Sequence, residues 1–297
     1  MPLRYDTISF LTDYGIADEF VGVVKSVIRS IAPGVTVVDI THDIDPHDVR
    51  AGGLALARSA QYLVPGVVLA VVDPGVGTDR KALAIEVGGG QSVLVGPDNG
   101  LLAPAVGMVG GATAAVVLDN PAYHLPAPGP TFAGRDIFAP VAAHLCAGVP
   151  LAELGSPIDP NLLLPGVLPV AAPSDDGGYA CEVLWIDRFG NAQLNVDPDE
   201  IADLGESITV RIGQRDRAAQ RARSYRDIPP GGIGLVVDSY GLLAIAVDRG
   251  SAAEELGLHE GDALVLEQAP GGDRQPRSSP VRLTVRPTRE RPAEEHL

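Results

Sequence analysis

The chain has 297 residues, 45% of them hydrophobic, and carries 22 Lys plus Arg against 38 Asp plus Glu for a formal charge of −16. That length and apolar content exclude disorder throughout, and a prior of roughly 150 residues per domain favours two domains. The acidic balance repels polyanions, which excludes nucleic acid and anionic membrane surfaces as partners and otherwise serves solubility.

In chain order, ISFLTD (8–13) reads as a first strand. The apolar residues Phe20, Val21, Val24, Val27, Ile28 and Ile31 then fall on one helical face, closed by Pro33 and Gly34. TVVDIT (36–41) is a second strand, and Asp45 with Pro46 predicts the N-cap and first turn of a helix reaching about Ala60. VVLAVVD (67–73), ALAIEV and SVLVG are further strands, and IFAPVAAHLCA (137–147) is a helix. This alternation predicts an α/β domain over residues 1–168 with a mainly parallel central sheet. The Pro, Gly and Asp run at 169–178 reads as a linker. Closely spaced strands (CEVLWID, QLNV, SITVRI, GLVVD, LLAIAV, DALVLE, VRLTVR) predict a smaller β-barrel domain at 179–285, and the charged residues 286–297 read as a disordered tail.

The two cysteines, Cys146 and Cys181, lie in no CxxC or CxxH pair and read as buried small hydrophobes in a reducing compartment. No apolar run approaches the roughly 18 residues of a membrane span, and a cytoplasmic protein is expected.

Polar residues gather at strand ends: Asp13 closes the first strand, His42 and Asp43 follow the second, and Asp73 closes the third. In open α/β sheets the crevice beyond the carboxyl ends of the strands takes the ligand. The run His42, Asp43, Asp45, His47, Asp48 has the residue types of a metal site, but its spacing matches no recurrent ligand motif, so it reads as a helix cap plus exposed loop charges and no metal is expected. DPGVGTDR (73–80) is Gly-rich after a strand, yet a β-run follows it, so the helix N-terminus of a dinucleotide site is missing. The segment does place Asp73 and Arg80 across a tight turn. Facing one another, they would hold and polarise a water, the cation favouring its hydroxide character and the carboxylate accepting its proton.

Together FLTDYGIADEFVGVVK (10–25), VVDITHDIDPHDVRAG (37–52), VVDPGVGTDR (71–80), LVGPDNGLL (94–102), TFAGRDIFAPVAAHL (131–145), IDRFGN (186–191) and DSYGLLAIAV (238–247) resemble the S-adenosylmethionine hydroxide adenosyltransferase family, the sister group of the fluorinases and chlorinases. The resemblance implies an N-terminal α/β domain, a C-terminal β-barrel, and a homotrimer with active sites between subunits. It implies attack of water at C5′ of S-adenosylmethionine, giving adenosine and L-methionine with no metal or cofactor.

By the same resemblance Asp13 accepts both ribose hydroxyls, Asp187 and Asn191 hold the methionine ammonium and carboxylate with Phe189 packed beside them, and Ser239 and Tyr240 lie near the methionine and adenine ends. Asp73 and Arg80 match two members of a water-activating Asp, Arg, His triad, and halogenases carry an aromatic residue at the position of Asp73, which argues for water over halide. The chain departs from the family at Ala133, where the hydrolases read TFHGRD, and at Asp248, where Asn is frequent. At position 133 the histidine's role has moved, with His47 or His124 as candidates, or the chain is slow, or alanine is a deliberate replacement that traps substrate. The alternatives are a non-catalytic protein that binds S-adenosylmethionine or adenosine, and a halogenase.

Overall fold

Thr7–Thr12 (β1) is buried along its whole length, and so is Val67–Val71 (β3), because both run through the middle of one sheet with helices on its faces. The structure, a computed structural model, describes residues 3–166, 169–174 and 177–270. Between those strands come the helix Phe20–Ile31 (α1), the strand Thr36–Thr41 (β2) and the helix Val49–Ala60 (α2). β2 pairs parallel with one side of β1, and β3 pairs parallel with the other. Ala82–Val87 (β4), Ser92–Pro97 (β5), Ala112–Val117 (β6) and Ser156–Ile158 (β7) complete the order β2-β1-β3-β5-β4-β6-β7.

The expected parallel sheet accounts for β2, β1, β3 and β5. The remaining pairings are antiparallel. β4 and β5 are joined by Gly88, Gly89 and Gly90, all at positive φ. A connection that short cannot make a parallel crossover.

The predicted face of α1 is only partly buried. Val24 and Ile28 lie in the core beside Phe10 and Leu69, each such side chain contributing about 1.5–3 kcal/mol. Phe20 is 38% exposed. α2 starts later than predicted. Its N-cap is Asp48, which accepts from the Ala51 N–H at 2.8 Å. His47 has φ of 72°, a left-handed conformation that no helix continues through, so Asp45–Pro46 forms a turn ahead of the helix. The Ala103–Met108 helix (α3) packs on α2, and Ala139–Cys146 (α4) packs on α1 after a π-helical turn over Gly134–Phe138. Cys146 and Cys181 are both buried and free, and burial pushes each thiol up to about 12.

The second sheet is a closed barrel. Tyr179–Ile186 (β9), Ala192–Leu194 (β10), Ser207–Ile212 (β11), Arg215–Ala222 (β12), Ile233–Val237 (β13), Leu243–Val247 (β14) and Ala263–Gln268 (β15) form it, with the pairing of β9 to β10 closing the ring. β11 shows the alternation that such closure demands: Ile208, Val210 and Ile212 point inward and Arg211 outward. Within the stretch read as a linker, Ala172–Pro173 (β8) pairs with β9. A short helix, Ala252–Leu256 (α5), caps one end, with Ser251 accepting from the Glu254 N–H at 3.1 Å. The expected strand VRLTVR and the tail at 286–297 lie outside the described residues. Among the described residues no helix is long and apolar enough to cross a membrane. The two domains meet through α2, where Arg50 Nη2 bonds Glu182 Oε1 at 2.5 Å and the Arg58 guanidinium stacks 4.1 Å over the Trp185 ring.

Candidate active site

The chain runs from β1 to β2 on one side and then crosses to β3 on the other, so the strand order reverses between β1 and β3. A crevice opens where neighbouring connections leave in opposite directions. Asp13 follows β1 directly, Asp73 lies just beyond β3, and both line one cavity of about 530 Å³. Two buried strands in register, Thr12 opposite Val71, thus fix the spacing of the two carboxylates.

The Asp73 to Arg80 pairing is fork on fork. Arg80 Nε donates to Asp73 Oδ1 at 2.9 Å and Nη2 to Oδ2 at 2.5 Å, while Nη1 donates to the Lys81 carbonyl at 2.7 Å. The side chains are 6% and 12% exposed, and the guanidinium lies 5.4 Å over the Phe138 ring. Burial pushes the Asp73 carboxyl above the usual carboxylate range, with Arg80 pulling against that push. A carboxylate displaced in this direction accepts a proton more readily near neutrality.

Asp13 Oδ2 accepts from the His47 N–H at 2.9 Å, which ties the loop ahead of α2 to the end of β1. Both residues line the cavity with Asp73. Its apolar wall is aromatic: Phe132 packs edge to face on both Tyr14 and Phe20, which are tilted against each other, with centroids 5.2–5.8 Å apart. Burial, with the charges of Asp13 and Asp73 adding to it, raises the Tyr14 phenol above its usual value. Gly134 makes this packing possible, because a Cβ there would stand 2.1 Å from the Tyr14 hydroxyl. Gly134→Ala is therefore expected to displace Tyr14 and lower stability by about 1–3 kcal/mol. A thermal melt together with ligand titration would show it; an unchanged melting temperature and affinity would contradict the packing.

Ala133 is 8% exposed and sits in the wall between two cavities. It lines the Asp13–Asp73 cavity and also a neighbouring one, again about 530 Å³, that holds Arg80, His124 and Asp136. The structure thus places Ala133 between the two members of the ion pair's surroundings. Burial lowers the His124 pKa, and among the described residues its Nε2 finds no hydrogen-bond partner.

The barrel residues form a second group. Asp187 Oδ1 accepts from the N–H groups of Phe189 and Asn191, each at 2.9 Å, and Oδ2 accepts from Asn191 Nδ2 at 2.8 Å. Asp187 and Asn191 therefore first shape their own turn, completed at Gly190, where φ is 81° and a Cβ would meet Ser251. Phe189 is 76% exposed on that turn. Ser239 is exposed in a second turn. Tyr240 stands edge-on to Trp185 at 6.2 Å. Asp238 organises this turn by accepting from the Tyr240 and Leu242 N–H groups and from Gln193 Nε2. Every residue lining the Asp13–Asp73 cavity comes from the N-terminal domain. One chain therefore brings Asp13 and Asp73 together, with Arg80 behind Asp73, and holds the barrel group apart from that cavity.

Several contributors escaped the sequence reading: Tyr14, Phe132, Asp238 and the Arg58–Trp185 stack. Each except Arg58 and Trp185 lies inside a motif quoted above, which was the available signal. His42, grouped with exposed loop charges, is instead buried, with Nδ1 2.9 Å from Thr12 Oγ1 and Nε2 3.1 Å from Asp39 Oδ1. Strand β1 draws its ring inward, where it meets Phe10 edge to face at 4.8 Å.

Residues 8–155 match the family model described as the SAM hydroxide adenosyltransferase N-terminal domain, and residues 181–265 match the corresponding C-terminal domain. The chain is 46% identical over 257 residues to the (R)-S-adenosyl-L-methionine hydrolase of Salinispora arenicola (strain CNS-205), covering 86% of this chain and 96% of that one. A fluorinase from Actinopolyspora mzabensis is more distant, at 28% identity over 86% of this chain and 94% of its own. Among solved structures, an uncharacterized conserved protein from Thermotoga maritima superimposes with a TM-score of 0.81 at 34% identity, covering 88% of this chain and 99% of that one.

Proposed function

The chain belongs to the SAM hydroxide adenosyltransferase family, and from that premise we propose that it hydrolyses S-adenosyl-L-methionine. The oxygen of water bonds to C5′, the C5′–S bond breaks with its electron pair returning to sulfur, and one proton is released. Adenosine and L-methionine are the products. The sulfonium leaves as a neutral thioether, so the reaction needs no general acid, metal or cofactor. It gains from a shielded pocket and from alignment of the water with the C5′–S bond.

The observation that carries this reading is the buried Asp73–Arg80 pair beside the cavity that also holds Asp13. Asp73 orients the water and draws off its proton, which its raised affinity for protons favours. Asp13 offers two carboxylate oxygens to the ribose cis-diol. In the barrel, Asp187 and Asn191 take the methionine ammonium and carboxylate, Phe189 packs beside them, and Ser239 and Tyr240 complete the methionine and adenine ends. Chromatography of adenosine and methionine after incubation with S-adenosyl-L-methionine tests the reading. Added chloride or fluoride should yield no 5′-halo-5′-deoxyadenosine, because Asp73 repels an anion beside it. Ala133 favours one other reading, a binding protein without turnover. Tight binding with no products, both in the native chain and in Ala133→His, would select it.

That no barrel residue lines the Asp13–Asp73 cavity supports a further proposal. The cytoplasmic enzyme is a homotrimer, its chain divided at residues 169–178, and each site joins the N-terminal domain of one subunit to the barrel of the next. An Asp13→Ala chain and an Asn191→Ala chain, each inactive alone, should then recover roughly a quarter of native activity when unfolded and reassembled together, as head-to-tail interfaces pair at random. No recovery in mixed assemblies of native size would contradict the shared site.

A further inference from the structure

Ala133 leaves the proton taken up by Asp73 without the imidazole that the family places beside it. Two imidazoles lie near. His124 lines the cavity on the Arg80 side, which excludes Asp73. Three of Arg80's guanidinium nitrogens are committed, two to Asp73 and one to the Lys81 carbonyl. A water in contact with the Asp73 carboxylate therefore lies on the other side, in the cavity shared by Asp13, Asp73 and Ala133, and His47 is the one imidazole lining it.

His47 is also held there at a cost. Its backbone adopts a φ of 72°, in a region that non-glycine residues seldom occupy, and its N–H is anchored to Asp13 Oδ2 at 2.9 Å. The residue is exposed, and among the described residues its ring makes no hydrogen bond. The anchor fixes the backbone and leaves the imidazole free to turn into the cavity and out toward solvent. A group that carries protons from a shielded carboxylate to bulk water needs both positions.

On the hydrolase reading above, we propose that His47 takes over the work of the missing triad histidine. The water gives its proton to Asp73 as C5′–S breaks. The proton then passes from the Asp73 carboxyl to a ring nitrogen of His47 and from there to solvent, returning Asp73 to the carboxylate form for the next turnover. Because the imidazole is exposed and its backbone rather than its ring is anchored, its contribution lies about tenfold, below the 10²–10⁴-fold of a fully positioned base.

The test is a double-mutant cycle between positions 47 and 133. His47→Asn removes the imidazole and retains a residue that tolerates the left-handed backbone and donates the same N–H to Asp13. In the native chain it should lower kcat about tenfold with KM within twofold, whereas a structural role through the ribose-binding Asp13 would shift KM. In an Ala133→His background the same change should cost less than twofold, since the relay is then redundant. Unchanged kcat in the native chain overturns the proposal, as does an equal loss in both backgrounds or a loss that follows His124→Asn instead. Absence of adenosine from a folded Ala133→His chain would overturn the hydrolase reading itself, a result separate from any of these.

Discussion

Ala133→His should raise the rate of adenosine formation about 100-fold, within the range that a positioned acid–base group provides. Position 133 accepts the change on backbone grounds, since its φ of −57° and ψ of −29° suit any residue. Space is available on both sides, because the alanine forms the wall between two cavities of about 530 Å³ each. The new ring would stand between the surroundings of Asp73 and those of Arg80, where it can take the proton that the buried carboxylate receives. Single-turnover kinetics with S-adenosyl-L-methionine would separate this gain from any change in binding. A rate within twofold of the native chain, from a variant that melts normally, would show that no proton acceptor is lacking at this position.

Asp73→Asn should cost about 10³-fold in kcat. The amide keeps an acceptor for Arg80 Nε but cannot take a proton from water, and its NH₂ faces Nη2 in place of a carboxylate oxygen. Stability should fall by about 1–3 kcal/mol as that buried donor loses its partner. The large kinetic effect thus separates from the small structural one. The pH profile gives an independent readout. Only ionised Asp73 accepts the proton, and burial raises the pH at which it ionises. The acid limb of kcat/KM assigned to this group should therefore lie above the ordinary aspartate range near 3.9. The same upward shift means the ionised carboxylate costs folding stability, a cost absent below the unfolded pKa and complete above the folded one. If Asp73→Asn left turnover unchanged, the group that activates water would lie elsewhere.

Much of this was legible where local pattern and tertiary placement agree. The runs 8–13 and 67–73 read as strands because they are apolar, and each ends on a carboxylate because a buried strand cannot continue through one. Asp73 and Arg80 were paired from their spacing across a turn, and the structure joins them through two hydrogen bonds. Elsewhere a tertiary contact decided the outcome. Asp45–Pro46 carries good capping chemistry, yet the Asp13 carboxylate captures the His47 N–H and delays the helix to Asp48. Arg215–Ala222 shows no alternation, its first four residues being exposed, and it is a strand only because its neighbours close the barrel around it. The double exposure of Ala133 to two cavities depends on the π turn at Gly134–Phe138, a backbone detail with no compositional signature.

That π turn has a consequence for how such a site changes over time. The floor of the cavity is set by β1 and β3, whose side chains also fill the core, so altering the spacing of Asp13 and Asp73 disturbs the packing of the whole domain. The opposite wall, running from Pro128 to Arg135, ends in a turn wound more widely than the helix that follows it. The floor therefore tolerates little change in the spacing of its two carboxylates, and Gly134 in the opposite wall tolerates no side chain, whereas position 133, with an ordinary helical backbone and a cavity on either side, can change its side chain while the floor stays in place.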